Sequence, residues 1–106
     1  SSGLQNKDFC YIDDIVEAIH CAFKNNSSPN IVYNIGNGIP ISIKKLTYKI
    51  IDIIGHGKPI FKKPLENEIL DNQYPDISKF INDFDWKPKT SLDDGLKLTI
   101  KFYKEY

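Results

Sequence analysis

Four carboxylates, Glu66, Glu68, Asp71 and Asp76, lie close together in the sequence, and a cation would need oxygens of this kind. Their spacing lacks the Asp-x-Asp-x-Asp-Gly order of a calcium loop. The two histidines, His20 and His56, stand far apart with no matched ligand spacing. No serine or cysteine has a nucleophile setting such as Gly-x-Ser-x-Gly. Gly36-Asn37-Gly38 could open a dinucleotide-binding turn, but Ile39-Pro40 follow and no third glycine arrives. The plain reading of that segment is a turn. Metal, triad and dinucleotide chemistry are therefore not expected from this chain, and polar residues suited to binding remain.

The elements that would position such residues follow from period and punctuation. Phe9 to Ile12 is a bulky extended run that suits a short strand. Ile12, Ile15, Val16, Ile19 and Phe23 then fall on one stripe of a helix expected over 13–24. Asp13 and Asp14 stand at the changeover, where carboxylates can cap free N–H groups and face the positive end of the helix dipole. A loop of turn formers covers 25–30, and a β-branched and aromatic strand is expected at 31–35. Ser42 is placed to cap a second helix carrying Ile43, Leu46, Ile50, Ile51 and Ile54, which Gly55 and Gly57 stop. A short extended piece is expected at 59–63 and a polar loop at 64–74, long enough to attract attention as functional. Asp76 should cap a short helix bearing Ile77, Phe80, Ile81 and Phe84. Ser91-Leu-Asp-Asp94 has the form of a capping box for a last helix with Leu92, Leu96, Thr99, Ile100 and Tyr103 on one face. The expected fold is α+β: a small lobe of about four helices and two or three short strands, with no complete Rossmann sheet.

A chain of 106 residues with formal net charge zero sets bounds on partners. One domain is expected, without a basic face for nucleic acid and without a membrane span. There is no arginine; all fourteen basic residues are lysines. Cys10 and Cys21 form no Cys-x-x-Cys pair and read as buried thiols in a reducing cytoplasm.

Three stretches carry a resemblance, in order and in register. Gly3-Leu-Gln5-Asn-Lys7-Asp8-Phe9-Cys-Tyr11-Ile-Asp13-Asp14-Ile-Val-Glu17-Ala18 resembles Gly-x-Gln-x-Arg-Asp-Phe-x-Tyr-Val-x-Asp-x-x-x-Ala. Val32-Tyr33-Asn34-Ile35-Gly36-Asn37-Gly38 resembles Tyr-Asn-Ile-Gly-x-Gly. Pro75-Asp76-Ile77-Ser78-Lys79, Trp86-Lys87-Pro88 and Ser91-Leu92-Asp93-Asp94-Gly95-Leu96 resemble Pro-Asp-Ile-Ser-Lys, Gly-Trp-x-Pro and Ser-Leu-x-x-Gly-Leu. These are the motifs of the C-terminal substrate-binding lobe of NAD-dependent epimerases and dehydratases, the extended short-chain dehydrogenases that modify sugar nucleotides.

The resemblance implies that residues 1–106 are one substrate-binding lobe. Its partner would be an N-terminal Rossmann half of the same protein, which binds NAD; no cofactor is expected in this lobe. The family's catalytic Tyr-x-x-x-Lys pair has no match, because none of the six tyrosines has lysine four residues on. No catalytic residue and no redox step are expected from the lobe itself. The implied ligand is a nucleoside diphosphate sugar, and the implied parent is a cytoplasmic homodimer. Gln5, Lys7 and Tyr74 are the candidate substrate contacts. Lys7 takes the place of a phosphate-reaching arginine, keeping charge but losing the two-pronged guanidinium geometry. Tyr74 could stack on a base. The loop that often brings a second arginine is acidic here, at Glu66, Glu68 and Asp71, and would repel a diphosphate. The alternative is a stand-alone, non-catalytic binding or interaction module derived from the lobe.

Overall fold

A computed structural model describes residues 1–25, 31–68 and 72–106 of the chain. Strand β1 (Asn6–Asp8) leads into helix α1 (Ile12–Lys24). Strand β2 (Pro40–Ser42) runs straight into helix α2 (Ile43–Ile54), and helices α3 (Ser78–Phe84) and α4 (Leu92–Glu105) follow. The two strands pair antiparallel, with Asn6 opposite Ser42, Lys7 opposite Ile41 and Asp8 opposite Pro40. Proline lacks an N–H and is tolerated there as the first residue of its strand. Asn6 also forms an isolated parallel bridge to Asn72. The result is the expected small α+β unit, but its strands are not the expected ones.

The apolar segments 9–12, 31–35 and 59–63 form no strand. Burial accounts for only part of their composition, since Ile12, Ile31, Val32 and Ile60 are exposed. Residues 9–11 are the connection into α1, so Cys10 lies in that connection. Tyr33 and Ile35 pack against the core by their side chains. Segment 59–63 is tied down by one backbone bond, Lys62 N–H to the Ser1 carbonyl at 3.1 Å.

The helix ends show which capping signals were local. Ser42 Oγ accepts from Lys45 N–H at 3.2 Å, and Gly55 closes α2 at φ 87° with its N–H on the Ile51 carbonyl. Ser91 Oγ accepts from Asp94 N–H at 3.1 Å and opens α4. At α3, Ile77 takes the cap position. Asp76 sits one residue earlier and accepts from both the N–H and the hydroxyl of Ser78, at 3.0 and 2.6 Å. Asp13 and Asp14 do not cap α1. Tyr11 holds that position, with no side-chain bond, and both aspartates lie in the first turn. Asp14 is buried and faces the segment before α4. There it accepts from Lys89 N–H at 3.2 Å, Thr90 N–H at 2.9 Å and the Thr90 hydroxyl at 3.2 Å.

The core is small. Among the described residues, Ala18 of α1, Phe80 of α3 and Trp86 are the buried apolar side chains. Phe80 meets Tyr33 edge-on at 5.5 Å and Trp86 edge-on at 5.4 Å, an arrangement that places ring edges against ring faces. The molecule is a slab 19 Å thick, with a radius of gyration of 16.5 Å. A compact domain of 100 residues has about 13 Å. Much apolar surface therefore remains outside, including the α1 stripe: Ile12, Val16, Ile19 and Phe23 all face solvent.

Candidate functional site

The best-formed polar constellation starts at Asp8, the last residue of β1. Its carboxylate reaches the glycine turn after residue 35 and accepts from Asn37 N–H at 2.9 Å and Gly38 N–H at 2.6 Å. Two successive backbone N–H groups aimed at one carboxylate form an anion nest with the anion already supplied. That settles the glycine turn. It cannot cradle a pyrophosphate while Asp8 holds its donors, and no third glycine follows, so the residues here do not fit NAD.

The same turn backs onto the segment that precedes α3. A Cβ built on Gly36 would stand 2.8 Å from Pro75 Cγ and 3.0 Å from Asp8 Oδ2, so only glycine allows this approach. Asn6 steadies the same segment from the other side, its amide donating to Asn72 Oδ1 at 2.7 Å. Strand β1, the glycine turn and residues 72–78 are thus fastened together by side chains from positions 6 and 8. Where the glycine turn meets that segment and α3 opens a shallow cleft of about 380 Å³, lined by Gly38, Tyr74, Pro75, Asp76, Ile77, Ser78 and Ile81. Ligand clefts start at about 300 Å³.

The cleft combines an aromatic wall with one fixed charge. Tyr74 is 55% exposed, with its ring available to a planar group. The Ser78 hydroxyl and N–H hold the Asp76 carboxyl below the usual carboxylate range. Asp76 therefore presents an anion at neutral pH. Such a wall accepts hydroxyl and amine donors and repels phosphate.

Of the three sequence-derived contacts, Tyr74 alone lines this cleft. Gln5 is half-buried, and its carbonyl accepts from Ile43 N–H at 3.0 Å, tying the entry of β1 to the start of α2. Lys7 lies in β1 opposite Ile41. Alternation along the strand puts its side chain on the face opposite Asn6 and Asp8. Among the described residues Lys7 is in no ion pair. The structure does not gather Gln5, Lys7 and Tyr74 into one pocket.

The acidic loop behaves differently from its sequence. Glu68 turns inward and accepts from the Ser2 N–H at 3.4 Å and the Ser2 hydroxyl at 3.1 Å. Glu66 is exposed, and Asp71 lies outside the described residues. Among the described residues no three His, Cys, Asp or Glu side chains come together as metal ligands. His20 and His56 are both exposed, on α1 and just after α2. The Cys10 thiol is pushed up to about 11 by burial, with the nearby Asp14 and Asp8 carboxylates adding to the effect, which leaves it a poor nucleophile. No helix among the described residues is long and apolar enough to cross a membrane.

Asp8 stands in the Gly-x-Gln-x-Arg-Asp-Phe resemblance with no role assigned to it, and Asn6 fills one of its unspecified positions. Their partners lie 29 and 66 positions away, beyond the reach of any local pattern. The usable signal was indirect. A turn of glycines leaves N–H groups that need an acceptor, and Asp8 is a short side chain in an otherwise bulky stretch.

Among the described residues the chain is thus a small α+β unit of two paired strands and four helices, with an acid-clamped glycine turn. Residues 1–36 match the family model of the NAD dependent epimerase/dehydratase family. A dTDP-D-glucose 4,6-dehydratase of Homo sapiens is 32% identical over 98% of this chain and 31% of its own length. Among solved structures, UDP-glucose 4-epimerase of Thermotoga maritima, bound to UDP-glucose, superposes with a TM-score of 0.85 at 30% identity, over 99% of this chain and 33% of that one. The Bordetella bronchiseptica enzyme WbmF, in complex with NAD+ and UDP, does so with a TM-score of 0.81 at 28% identity, over 99% and 30%. Over nearly its whole length the chain is similar to members of the NAD-dependent epimerase/dehydratase family. It spans about a third of the length of the relatives it matches.

Proposed function

We propose that residues 1–106 are the substrate-binding lobe of an NAD-dependent nucleoside-diphosphate-sugar epimerase or dehydratase. The dinucleotide-binding half belongs elsewhere in the same protein, and NAD is bound there. That parent is a homodimer of the cytoplasm. It oxidises the sugar transiently, while this lobe holds the nucleotide end and performs no redox step. The observation that carries the reading is the superposition of nearly the whole chain on one third of an epimerase bound to UDP-glucose.

Within the lobe, Tyr74 offers a stacking surface for the base, beside the Asp76 carboxylate as acceptor for base or ribose donors. The phosphates lie away from Asp76, on the face of β1 that carries Lys7, with Gln5 as a neutral partner at the strand entry. The inward turn of Glu68 onto Ser2 supports this placement, since one of the repelling charges of the loop is directed away from solvent.

The test is calorimetric titration of the full-length, NAD+-loaded protein with UDP, dTDP, GDP and CDP. One diphosphate should bind, and Tyr74→Ala and Lys7→Ala should each weaken it about tenfold, the cost of one stack or one ion contact of about 1.4 kcal/mol. Binding of none of the four, with NAD+ bound normally, would refute the reading. A second reading, a stand-alone interaction module, is favoured by the lack of any arginine for phosphate. It requires that the gene encode no dinucleotide-binding half.

A further inference from the structure

Asn37-Gly38 is the one Asn-Gly pair in the sequence. Such a pair is chemically labile. The backbone nitrogen of the second residue can attack the side-chain amide carbon of the first, and glycine has no side chain to block the approach. The fold itself requires this glycine. Gly38 sits at φ 78°, and a Cβ built there would stand 3.0 Å from Ile77 Cδ1. Asn37 is half-buried and lines a groove of about 400 Å³ with Lys45 and Lys49, so water can reach this side of the turn. The attacking nitrogen is already engaged. Gly38 N–H donates to Asp8 Oδ2 at 2.6 Å, and Asn37 N–H donates to Oδ1 of the same carboxylate at 2.9 Å.

We infer that Asn37 is a latent deamidation site, held inert by the Asp8 carboxylate. Water is the only co-reactant. Gly38 N loses its proton and bonds to Asn37 Cγ; the Cγ–Nδ2 bond breaks, and ammonia leaves with that proton. Water then adds to either carbonyl of the cyclic imide and reopens it, giving aspartate at 37 or its β-linked isomer. Nothing is oxidised or reduced. Asp8 obstructs the first step. To close the ring, Gly38 N must surrender the proton that makes the 2.6 Å bond. Negative charge then develops on it beside a carboxylate, and a like charge so near disfavours that ionisation. The second bond holds the Asn37 N–H, so the turn cannot rearrange without breaking the pair. One hydrogen bond to a charged acceptor is worth about tenfold to a hundredfold in an equilibrium, which sets the protection expected. The reaction also destroys its own restraint. A carboxylate at 37 adds a second negative charge to a turn that holds Asp8, and the β-linked isomer lengthens the backbone between the two donors.

The experiment is incubation of the complete polypeptide that the gene encodes at mildly alkaline pH, folded and in guanidinium chloride. Peptide fragmentation in a mass spectrometer follows conversion at Asn37. The folded wild type should convert at least tenfold more slowly than the denatured chain. Asp8→Ala should erase most of that difference while circular dichroism shows it folded. Conversion near the denatured rate cannot then come from a small unfolded fraction. Asp8→Asn keeps the side chain's shape with one acceptor oxygen, and should fall between wild type and Asp8→Ala; it takes the place of Asp8→Ala if that variant does not fold. Equal rates in folded and denatured wild type overturn the inference. A folded Asp8 variant that converts no faster than wild type overturns it as well, because the protection would then not come from the clamp.

Discussion

Asp14 is the most consequential polar residue for stability, and its replacement gives a prediction that can be worked from geometry. The residue is 4% exposed. Its Oδ2 accepts from the N–H groups of Lys89 and Thr90, at 3.2 and 2.9 Å, and its Oδ1 from the Thr90 hydroxyl at 3.2 Å. Asp14→Ala removes all three acceptor contacts and strands two backbone donors in a part-buried place. A hydrogen bond to a charged group contributes about 1.5–3 kcal/mol, and bonds sharing one carboxylate do not add in full. The net loss should be about 3 kcal/mol. Asp14→Asn behaves differently. Its carbonyl oxygen can take the Oδ2 position and keep both N–H bonds, while its amide donates to a rotated Thr90 hydroxyl. Only charge assistance is lost, about 1 kcal/mol. Thr90→Val deletes the single hydroxyl contact and should also cost about 1 kcal/mol. Equilibrium urea unfolding of the 106-residue chain reads all three. With m of about 1.5 kcal/mol/M, Asp14→Ala lowers the midpoint by roughly 2 M. A shift below about 0.3 M for Asp14→Ala, or an equal loss for Asn and Ala, would refute the claim that these bonds hold α1 to the segment before α4.

Gly36→Ala should destabilise by about 1–3 kcal/mol through overlap with Pro75 and Asp8, whereas Gly55→Ala meets open space and should cost only about 1 kcal/mol, from its positive φ; thermal unfolding separates the two. Asp8→Ala should raise the hydrogen-exchange rates of the Asn37 and Gly38 amides at least tenfold, measured by NMR, because their acceptor is gone. With the Cys10 thiol moved from 9.0 to about 11, its thiolate fraction at pH 8 falls about a hundredfold, so Cys10 should react with a disulfide reagent about a hundredfold more slowly than a free cysteine peptide. The linkage has the matching sign. The unfolded thiol ionises first, so stability is lost as pH rises from about 9 towards 11. Asp93→Ala cuts the exposed 2.7 Å pair with Lys49 that joins α2 to α4 and should cost less than about 1 kcal/mol, with the loss vanishing in high salt.

What the sequence showed well was local. Ser42, Gly55 and Ser91 sit at helix ends as their types demand, because a cap involves groups within four residues of one another. The helices themselves followed from period. What it showed poorly was partnership. The run at 31–35 has strand composition, but it pairs with no strand: Tyr33 and Ile35 pack against Phe80 and its neighbours, while Ile31 and Val32 stay exposed. The strands that do form, at Asn6–Asp8 and Pro40–Ser42, are polar and short, and depend on each other across a separation that no window of residues spans. Asp14 follows the same logic. Its type and place suggested a cap, but a carboxylate in the first turn of a helix is equally free to bind a loop 75 positions on.

Helix α1 carries the argument one step further. Periodicity gives an apolar stripe and a helix, but not the side on which the partner lies. In a self-sufficient domain the stripe with the largest residues would face inward. Here the inward face is Asp14, Ala18, Cys21 and Ala22, and a stripe including Val16, Ile19 and Phe23 faces out. The outward stripe and the thin core are two views of one fact. Helix α1 gives the core its small residues and holds its bulk in solvent, so Phe80 and Trp86 supply most of the volume that is buried.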